Sequence, residues 1–461
     1  MMRPDQIEAL KKIVGEEYVL TNIEELYSYS YDATPGITNL PEAVVRPKNT
    51  QEVSQILALA NKEKIPVYAR GSGTSLSAGS VPTKGGLVLA MGRLDKILEI
   101  DAENLVATAE PGVIVADLNG AVSKFGLLYP PDPGTVTTAS LGGTVSENSG
   151  GLRGLKYGVT KHYVMGLEVV LANGEVMRTG GKNVKDVAGY DLTKLFTGSE
   201  GTLGVITKII VKLVPAPAAK KSMLAVFKNL DNAGRAIAAI IAAKIIPSTL
   251  EIMDNATATT VESFAKVGLP TDAEAILLIE VDGIPAVVED EAQKVIEVLK
   301  AHHADEIREA KTAAETEQVW AARRAALPSL AKLRPTTFCE DATVPRSKVP
   351  EMLKAITQIA EKYKVTIGTF GHAGDGNLHP TLVCDLRDPE EMERINMAMD
   401  EIFATAIKLG GTLSGEHGIG LAKLKYMKDQ FDPAAIEAMK AIKRALDPNL
   451  ILNPGKLVGE C

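Results

Sequence analysis

Residues 130–158 read PPDPGTVTTASLGGTVSENSGGLRGLKYG, a stretch with seven glycines, seven serines or threonines and no net charge. Glycine lets the backbone approach a ligand closely, and hydroxyl and N–H groups can hydrogen-bond a diphosphate or a heterocycle. A flexible linker can have a similar composition. Because apolar, strand-like segments flank the stretch on both sides, the pattern favours an ordered binding loop.

The composition is that of a globular protein with more than one folding unit. The chain has 461 residues, 23% charged residues and a net charge of −8, so we expect two or three domains and neither nucleic acid nor anionic lipid as a partner. The longest central apolar run, 236–243, is too short for a membrane helix, and the N-terminus lacks a signal-peptide core. Three scattered cysteines fit neither a metal motif nor a disulfide framework. We therefore expect a soluble, cytoplasmic protein.

Two further glycine-rich loops lie in the first half of the chain. A helix over 51–63 with Thr50 as N-cap and a strand over 67–69 precede RGSGTS, residues 70–75. The third glycine of a dinucleotide fingerprint would fall at Leu76, so a Rossmann site is disfavoured. The second of these loops, TGSEGTLG at 197–204, precedes a strand. Together with the stretch at 130–158, these make three glycine-rich loops, which predict one extended ligand.

Between the loops, the dipeptide Asn173-Gly174 predicts a two-residue primed hairpin turn.

A domain boundary is expected at 214–221, where prolines end a strand. The pattern beyond it predicts an α+β, ferredoxin-like cap domain. Its predicted elements are strands at 223–227, 249–253 and 275–281 and helices at 233–243, 287–301 and 312–333.

Half of the six histidines lie in two short motifs, GHAGDGNLH at 371–379 and SGEHG at 414–418. Glycines exclude a helix over the first motif, and the flanking apolar residues predict a hairpin with His372 opposite His379. Two imidazoles and Glu416 can form an open site for zinc, iron or manganese. Histidines in glycine-rich turns also serve as simple hydrogen-bonding groups, so spacing leaves both interpretations open.

The segments RGSGTS, PPDPG, ASLGGTVSENSGG, LKYG and TGSEGTLGVIT resemble the FAD domain of the vanillyl-alcohol oxidase and p-cresol methylhydroxylase (PCMH) family. The resemblance implies a PCMH-type FAD-binding domain of two subdomains. Since residues 71–77 contain no histidine, it also implies non-covalent FAD. The implied FAD-binding residues are Arg70, Gly71, Ser72, Gly73, Thr74, Ser75, Pro131, Asp132, Thr138, Ser140, Gly143, Ser146, Asn148, Gly150, Gly151, Gly201, Gly204, Val205 and Ile206.

The segments GHAGDGNLHP, SGEHGIG and LDPNLILNPGK resemble the D-lactate dehydrogenase and glycolate oxidase large-subunit branch of that family. The resemblance implies that a C-terminal tail with Asn453 returns to the flavin. It also implies His372, His379 and Glu416 as metal ligands, His417 as base and Arg323 as the substrate-carboxylate clamp. A solvated helix face is the alternative interpretation of Arg323 and its neighbour.

Cys339 and Thr381 stand where relatives acting on 2-hydroxyglutarate have lysine and asparagine, so the resemblance implies a smaller monocarboxylate.

The expected fold class is α+β, with an FAD-binding domain at 1–217, a cap domain at 218–420 and a C-terminal segment at 421–461. The expected activity is FAD-dependent oxidation of a small 2-hydroxy acid, with electrons passing to an electron-transferring flavoprotein, an iron–sulfur subunit or quinone. Two alternatives stay open. One is a metal-free oxidase of alcohols or lactones, and the other is a flavoprotein subunit that only transfers electrons.

Overall fold

The computed structural model describes residues 2–461, which form two compact units. The first unit takes in residues 2–150, Val159–Ala216 and Glu416–Cys461, and the second takes in Gly151–Gly158 and Pro217–Gly415. Residues 151–158 end the glycine-rich stretch that the sequence assigns to the FAD domain, but they belong to the second unit. Among residues 2–461, none of the helices has the length and apolarity needed to cross a bilayer.

The α-helices of the described chain are α1 (Pro4–Val14), α2 (Ile23–Tyr27), α3 (Thr50–Glu63), α4 (Val115–Ser123), α5 (Leu141–Glu147), α6 (Gly154–Tyr157), α7 (Leu192–Phe196), α8 (Leu230–Ala242), α9 (Asn255–Ala265), α10 (Pro285–Ala301), α11 (Ala313–Arg324), α12 (Ala326–Leu330), α13 (Val349–Tyr363), α14 (Pro389–Lys408), α15 (Met427–Gln430) and α16 (Pro433–Leu446). The strands are β1 (Val19–Leu20), β2 (Ala43–Val45), β3 (Val67–Arg70), β4 (Leu87–Ala90), β5 (Ile97–Asp101), β6 (Val106–Ala109), β7 (Leu127–Leu128), β8 (Val164–Val170), β9 (Val176–Gly180), β10 (Val205–Lys212), β11 (Val214–Pro215), β12 (Ala219–Phe227), β13 (Thr249–Asp254), β14 (Ala275–Gly283), β15 (Glu306–Glu309), β16 (Thr336–Cys339), β17 (Ala342–Thr343), β18 (Thr366–His372) and β19 (Asn377–Cys384).

The first unit contains two main sheets. One has the order β1-β2-β4-β3 with parallel pairing of β2, β4 and β3, and the other is the antiparallel sheet β5-β6-β10-β8-β9. Helix α3 packs its predicted apolar face, including Val53, Ile56 and Leu57, into the core around the first sheet. The C-terminal tail belongs to the same core, because Leu452 forms a parallel bridge with Val67 at the start of β3.

Two local predictions in the first unit are wrong. The N-cap of α3 is Asn49, whose Oδ1 accepts from the Glu52 N–H, while the Thr50 hydroxyl donates to Glu168. The turn between β8 and β9 is not of the primed type, since Gly174 has a φ of 88° and Asn173 is not in the positive-φ region. The Gly174 N–H donates to Leu171 O, which gives a type I turn followed by a left-handed glycine.

The second unit is one antiparallel sheet with the order β15-β12-β14-β13-β18-β19-β16, to which β17 adds beside β19. Helices α8, α10, α13 and α14 cover one face, and α9, α11 and α12 cover the other. This arrangement confirms the predicted α+β class. The predicted helix over 312–333 is wrong in one respect, because it breaks between α11 and α12. In a continuous helix, Pro328 would have no N–H to donate to the Arg324 carbonyl, and its ring would clash with that carbonyl.

Candidate active site

The loop after β3 presents a row of backbone donors in the first unit. The N–H groups of residues 72–76 donate to no other described residue, and Gly73 has a φ of 71°. Consecutive N–H groups of this kind form an anion-binding concavity. The loop therefore fits the diphosphate of a nucleotide cofactor, as the sequence predicts.

Arg70, the last residue of β3, supports this loop through its side chain. Its Nη1 donates to Tyr31 O at 2.7 Å and to Ser80 Oγ at 3.2 Å, and the side chain is buried. A Cβ at Gly73 would lie 2.1 Å from the Arg70 guanidinium, so a glycine is needed for this close contact. The structure thus gives Arg70 partners inside the protein, and its direct contact with a cofactor stays a prediction.

The structure brings the other predicted cofactor loops of the first unit against this one. Ser140 caps α5 by accepting from the Gly143 N–H, and a Cβ at Gly71 would lie 2.0 Å from Ser140 Oγ. The carbonyl of Ser146 accepts from the Glu200 N–H, which joins the long glycine stretch to the loop at 197–204. Gly201 has a φ of 69°, and a Cβ added there would have one neighbour within 4 Å, Ala69 Cβ at 4.0 Å.

Asn453 of the C-terminal tail connects two of these loops. Its Nδ2 donates to Gly79 O at 2.9 Å and to Glu200 O at 2.7 Å. Its Oδ1 is buried and accepts no hydrogen bond from any described residue. A buried acceptor without a donor is costly unless a ligand supplies one. The first unit therefore fits a bound cofactor at this point.

The remaining predicted cofactor residues fall into two groups. Gly204 is needed for packing, since a Cβ there would lie 2.4 Å from Val169 Cγ1 in the core. Gly151 belongs to the second unit. For the others the structure gives positions only, and their cofactor roles stay predictions: Pro131, Asp132 and Thr138 lie in the loop before α5, Asn148 and Gly150 follow α5, and Val205 and Ile206 begin β10.

Two buried ionisable residues of the first unit lie in segments that the sequence analysis singles out, but no role was predicted for either side chain. Glu200 accepts from the N–H groups of Ile419 and Gly420, both at 2.7 Å, and burial raises the pKa of its carboxyl. Lys456 donates to Gly79 O, and burial lowers its pKa to about 7. Their hydrogen-bond partners are backbone groups far away in sequence, and the charges that act on Lys456 include Asp32, Glu147 and Glu200, so no local pattern predicts these contacts.

The hairpin β18–β19 carries the two motif histidines of the second unit. The register pairs His372 with Asn377 and His379 with Phe370, so the prediction that the histidines are directly opposite is wrong. They are diagonal neighbours on one face, with ring centroids 5.1 Å apart and ligand nitrogens within 4.8 Å of each other. The hairpin therefore still brings the histidines together.

Each imidazole has its Nδ1 anchored inside the second unit. Nδ1 of His372 lies 2.6 Å from Oε1 of Glu251, and Nδ1 of His379 lies 3.2 Å from the carbonyl of Glu340. Both partners are acceptors, so a neutral ring at either position has its proton on Nδ1 and its lone pair on Nε2. Metal-bound histidines are held in this way. These residues thus fit a divalent cation, and the zinc, iron or manganese ion stays a prediction.

Glu251 also holds Arg323. Its Oε2 lies 2.5 Å from Arg323 Nε, and neither Nη group of Arg323 donates to another described residue. Only 12% of the Arg323 side chain is exposed, and its guanidinium lies 4.7 Å from the Phe370 ring. The alternative of a solvated helix face is therefore wrong for Arg323, whereas Arg324 is exposed and pairs with Glu317.

Burial would raise the pKa of the Glu251 carboxyl, but the contacts with His372 and Arg323 outweigh it and lower that pKa to about 2. Glu251 is therefore a carboxylate at neutral pH. Cys339 and Thr381 are directly opposite each other on the same sheet face. Loss of solvation raises the pKa of the Cys339 thiol to about 12, so without a bound metal it is a neutral group at neutral pH.

The motif with Glu416 and His417 follows directly on the end of the second unit. Asp341, which is fully buried, accepts from the Ser414 hydroxyl at 2.6 Å and from the Gly415 N–H at 2.9 Å. Glu416 and His417 belong to the first unit, where their side chains lie 3.9 Å apart. Their roles as ligand and base stay predictions. Asp341 was missed by sequence reasoning.

Two protein families match the chain. The FAD binding domain matches residues 41–180, and the C-terminal domain of FAD linked oxidases matches residues 216–457. The glycolate oxidase subunit GlcD of Bacillus subtilis is 53% identical over 457 residues, which cover 99% of this chain and 97% of that protein. The chain belongs to the FAD-linked oxidases.

Other relatives of this FAD-linked oxidase agree. A D-lactate dehydrogenase of Archaeoglobus fulgidus is 37% identical over 453 residues, covering 95% of this chain and 98% of that protein. The crystal structure of p-cresol methylhydroxylase with substrate bound has a TM-score of 0.81 at 19% identity, covering 99% of this chain and 96% of that one. The last likeness concerns the fold alone. Together the matches confirm the predicted PCMH-type fold and FAD-linked oxidoreductase class.

Proposed function

We propose that the protein oxidises a small 2-hydroxy acid, glycolate or D-lactate, to the 2-oxo acid with non-covalent FAD and a divalent metal ion. The observation that carries the proposal concerns the Arg323 guanidinium. Its two Nη groups donate to no described residue, and it lies close to His372 and His379, whose rings are anchored through Nδ1. The names of the relatives, glycolate oxidase subunit and D-lactate dehydrogenase, support the substrate class.

Each residue has one task in this proposal. Arg323 binds the substrate carboxylate through its two Nη groups, which match a carboxylate in a bidentate fork. His372, His379 and Glu416 would hold the metal, and His417 takes the proton of the C2 hydroxyl. When bound, FAD supplies the hydride acceptor and the metal a Lewis acid. The neutral pair Cys339 and Thr381 on the same sheet face suits a monocarboxylate, since neither supplies a cation for a second carboxylate.

The electron acceptor is proposed to be a further protein subunit or quinone, because the Bacillus subtilis relative is itself named a subunit. An electron-transferring flavoprotein and an iron–sulfur subunit are the two protein candidates. A cytoplasmic location is proposed from the scattered cysteines of the sequence.

Anaerobic titration of the purified protein with D- and L-hydroxy acids tests the activity. Glycolate or D-lactate should bleach the flavin, and acid precipitation should release all of the FAD from the chain. A flavin that no hydroxy acid bleaches would favour the electron-transfer subunit. Full bleaching after complete metal removal would favour the metal-free oxidase.

The assignment of His417 as base is tested separately from that of Glu416 as ligand. His417→Asn should keep FAD and metal yet reduce the rate of flavin reduction roughly a hundredfold to ten-thousandfold, as loss of a general base does. Glu416→Ala should lose metal and activity together, and added Zn²⁺ or Mn²⁺ should restore part of both. Metal analysis and anaerobic stopped-flow measure both. Metal lost from His417→Asn but kept in Glu416→Ala would reverse the two roles.

A further inference from the structure

We infer that Glu251 is a positioning residue that fixes the carboxylate-binding edge of Arg323 and the metal-binding nitrogen of His372 at the same time. The inference rests on the proposed function and names a residue that the proposal does not otherwise need.

The geometry of Glu251 leaves it little freedom. Its side chain is 0% exposed on β13, which lies between β14 and β18 in the sheet. One oxygen lies 2.6 Å from His372 Nδ1 and the other lies 2.5 Å from Arg323 Nε. Because the two oxygens belong to one planar carboxylate, these two contacts together hold His372 Nδ1 and Arg323 Nε at a set distance from each other.

Each contact selects the part of its partner that faces a ligand. A carboxylate on Nδ1 keeps the proton there and leaves the lone pair of His372 on Nε2, the atom that would bind a metal. A carboxylate on Nε occupies that edge of the guanidinium, so the Nη1–Nη2 edge of Arg323 is the one that a substrate carboxylate can approach. Glu251 also offsets the charge of Arg323, which has only 12% of its side chain exposed.

A purely structural ion pair is the competing explanation, and Glu280 offers a matched control. It is a buried carboxylate on β14, next to β13 in the sheet. It accepts from Ser222 Oγ at 2.7 Å and from Trp320 Nε1 at 3.2 Å, and Trp320 lies on α11 together with Arg323. Glu280→Gln therefore makes the same chemical change beside the same helix.

The experiment compares Glu251→Gln with Glu280→Gln in the FAD-loaded protein. The Zn²⁺ dissociation constant is measured on metal-stripped protein with a competing chelator, and KM and kcat for glycolate and D-lactate are measured at saturating Zn²⁺. In Glu251→Gln we expect Zn²⁺ to bind ten- to a hundredfold more weakly. We also expect kcat/KM to fall by roughly tenfold to a hundredfold at saturating metal, mainly through KM. Glu280→Gln should keep both constants within about twofold of the wild type.

Glu251→Asp provides a second variant if the amide prevents folding. It keeps the negative charge near Arg323, but its shorter side chain can reach only one of the two partners. Either the Zn²⁺ affinity or the KM should therefore change, and a variant with both constants unchanged would overturn the inference. Equal effects of Glu251→Gln and Glu280→Gln would also overturn it. If no hydroxy acid bleaches the wild-type flavin, the proposed function fails, while the Zn²⁺ affinities still test the contact with His372.

Discussion

The Nε of Arg323 donates to Glu251, whereas its two Nη groups are available to a ligand. Lysine at this position would keep the charge but lose the planar fork that binds a carboxylate through two parallel hydrogen bonds. We expect Arg323→Lys to retain FAD and to bind glycolate or D-lactate more weakly by roughly 1.5–3 kcal/mol, the value of a hydrogen bond to a charged group. Anaerobic flavin titration with each acid measures the change.

Arg324→Lys is the control for this prediction, because Arg324 follows on the same helix and forms an exposed ion pair with Glu317. It should leave acid binding unaltered, since exposed ion pairs contribute little. Unaltered binding in Arg323→Lys together with weaker binding in Arg324→Lys would move the carboxylate site to Arg324.

Glu251 shows where prediction of the site from sequence stops. The motif histidines and Arg323 were predicted through glycine spacing and family resemblance. Glu251 lies 121 positions from His372 and 72 from Arg323. It meets His372 because Ile252 pairs with Gly371 across β13 and β18, and such a long-range register leaves no local signal. Asp341 was missed for the same kind of reason.

At the scale of elements, hydrophobic periodicity predicted α3, α4, α8, α10, the α11–α12 region and the long strands of both units, but it predicted none of the long helices α1, α9, α13, α14 and α16 and missed short strands such as β2 and β4. The errors that remained concern single residues with special chemistry. Pro328 divides a predicted helix, and Asn49 rather than Thr50 caps α3. The hairpin β18–β19 was predicted, but its register was wrong by two residues, because the turn Ala373–Gly376 closes on His372 and Asn377.

Gly376 determines the shape of this hairpin turn. It has a φ of 89°, and a Cβ there would lie 2.0 Å from the Val344 carbonyl. We expect Gly376→Ala to lower the free energy of unfolding by roughly 1–3 kcal/mol through backbone strain, with the clash adding to it. The hairpin carries His372 and His379, so Zn²⁺ affinity should fall as well. Urea unfolding and chelator competition measure the two effects.

Gly120→Ala is the matching control, because Gly120 lies inside α4 and a Cβ there would meet nothing within 4 Å. Alanine should stabilise this helix by about 0.5–1 kcal/mol and leave metal affinity alone. If Gly376→Ala were equally stabilising, the turn would not need a glycine.

At the scale of the whole molecule, the end of the chain is tied to segments that come much earlier in the sequence. Lys443 donates to Thr202 O and Leu452 O, and its partner Asp447 accepts from the N–H groups of Ile451 and Leu452. These bonds fix the tail that carries Asn453 to the first unit. The sequence predicted a returning tail from family resemblance, but the buried pair that anchors it has no motif of its own.

The ion pair between Lys443 and Asp447 is almost completely buried, with 6% and 0% of the side chains exposed. Removing one partner leaves an uncompensated buried charge, which typically costs about 3–5 kcal/mol. We expect Asp447→Ala to lower the free energy of unfolding of the first unit by that amount. It should also weaken FAD retention, because Asn453 lies six residues further along the tail. Denaturant unfolding and the FAD content after gel filtration measure both effects, with the exposed Asp429→Ala as control, expected within about 0.5 kcal/mol of the wild type. A loss of stability with full FAD retention would show that the tail supports the fold without contributing to the cofactor site, since the anchor of Asn453 would then be dispensable for binding.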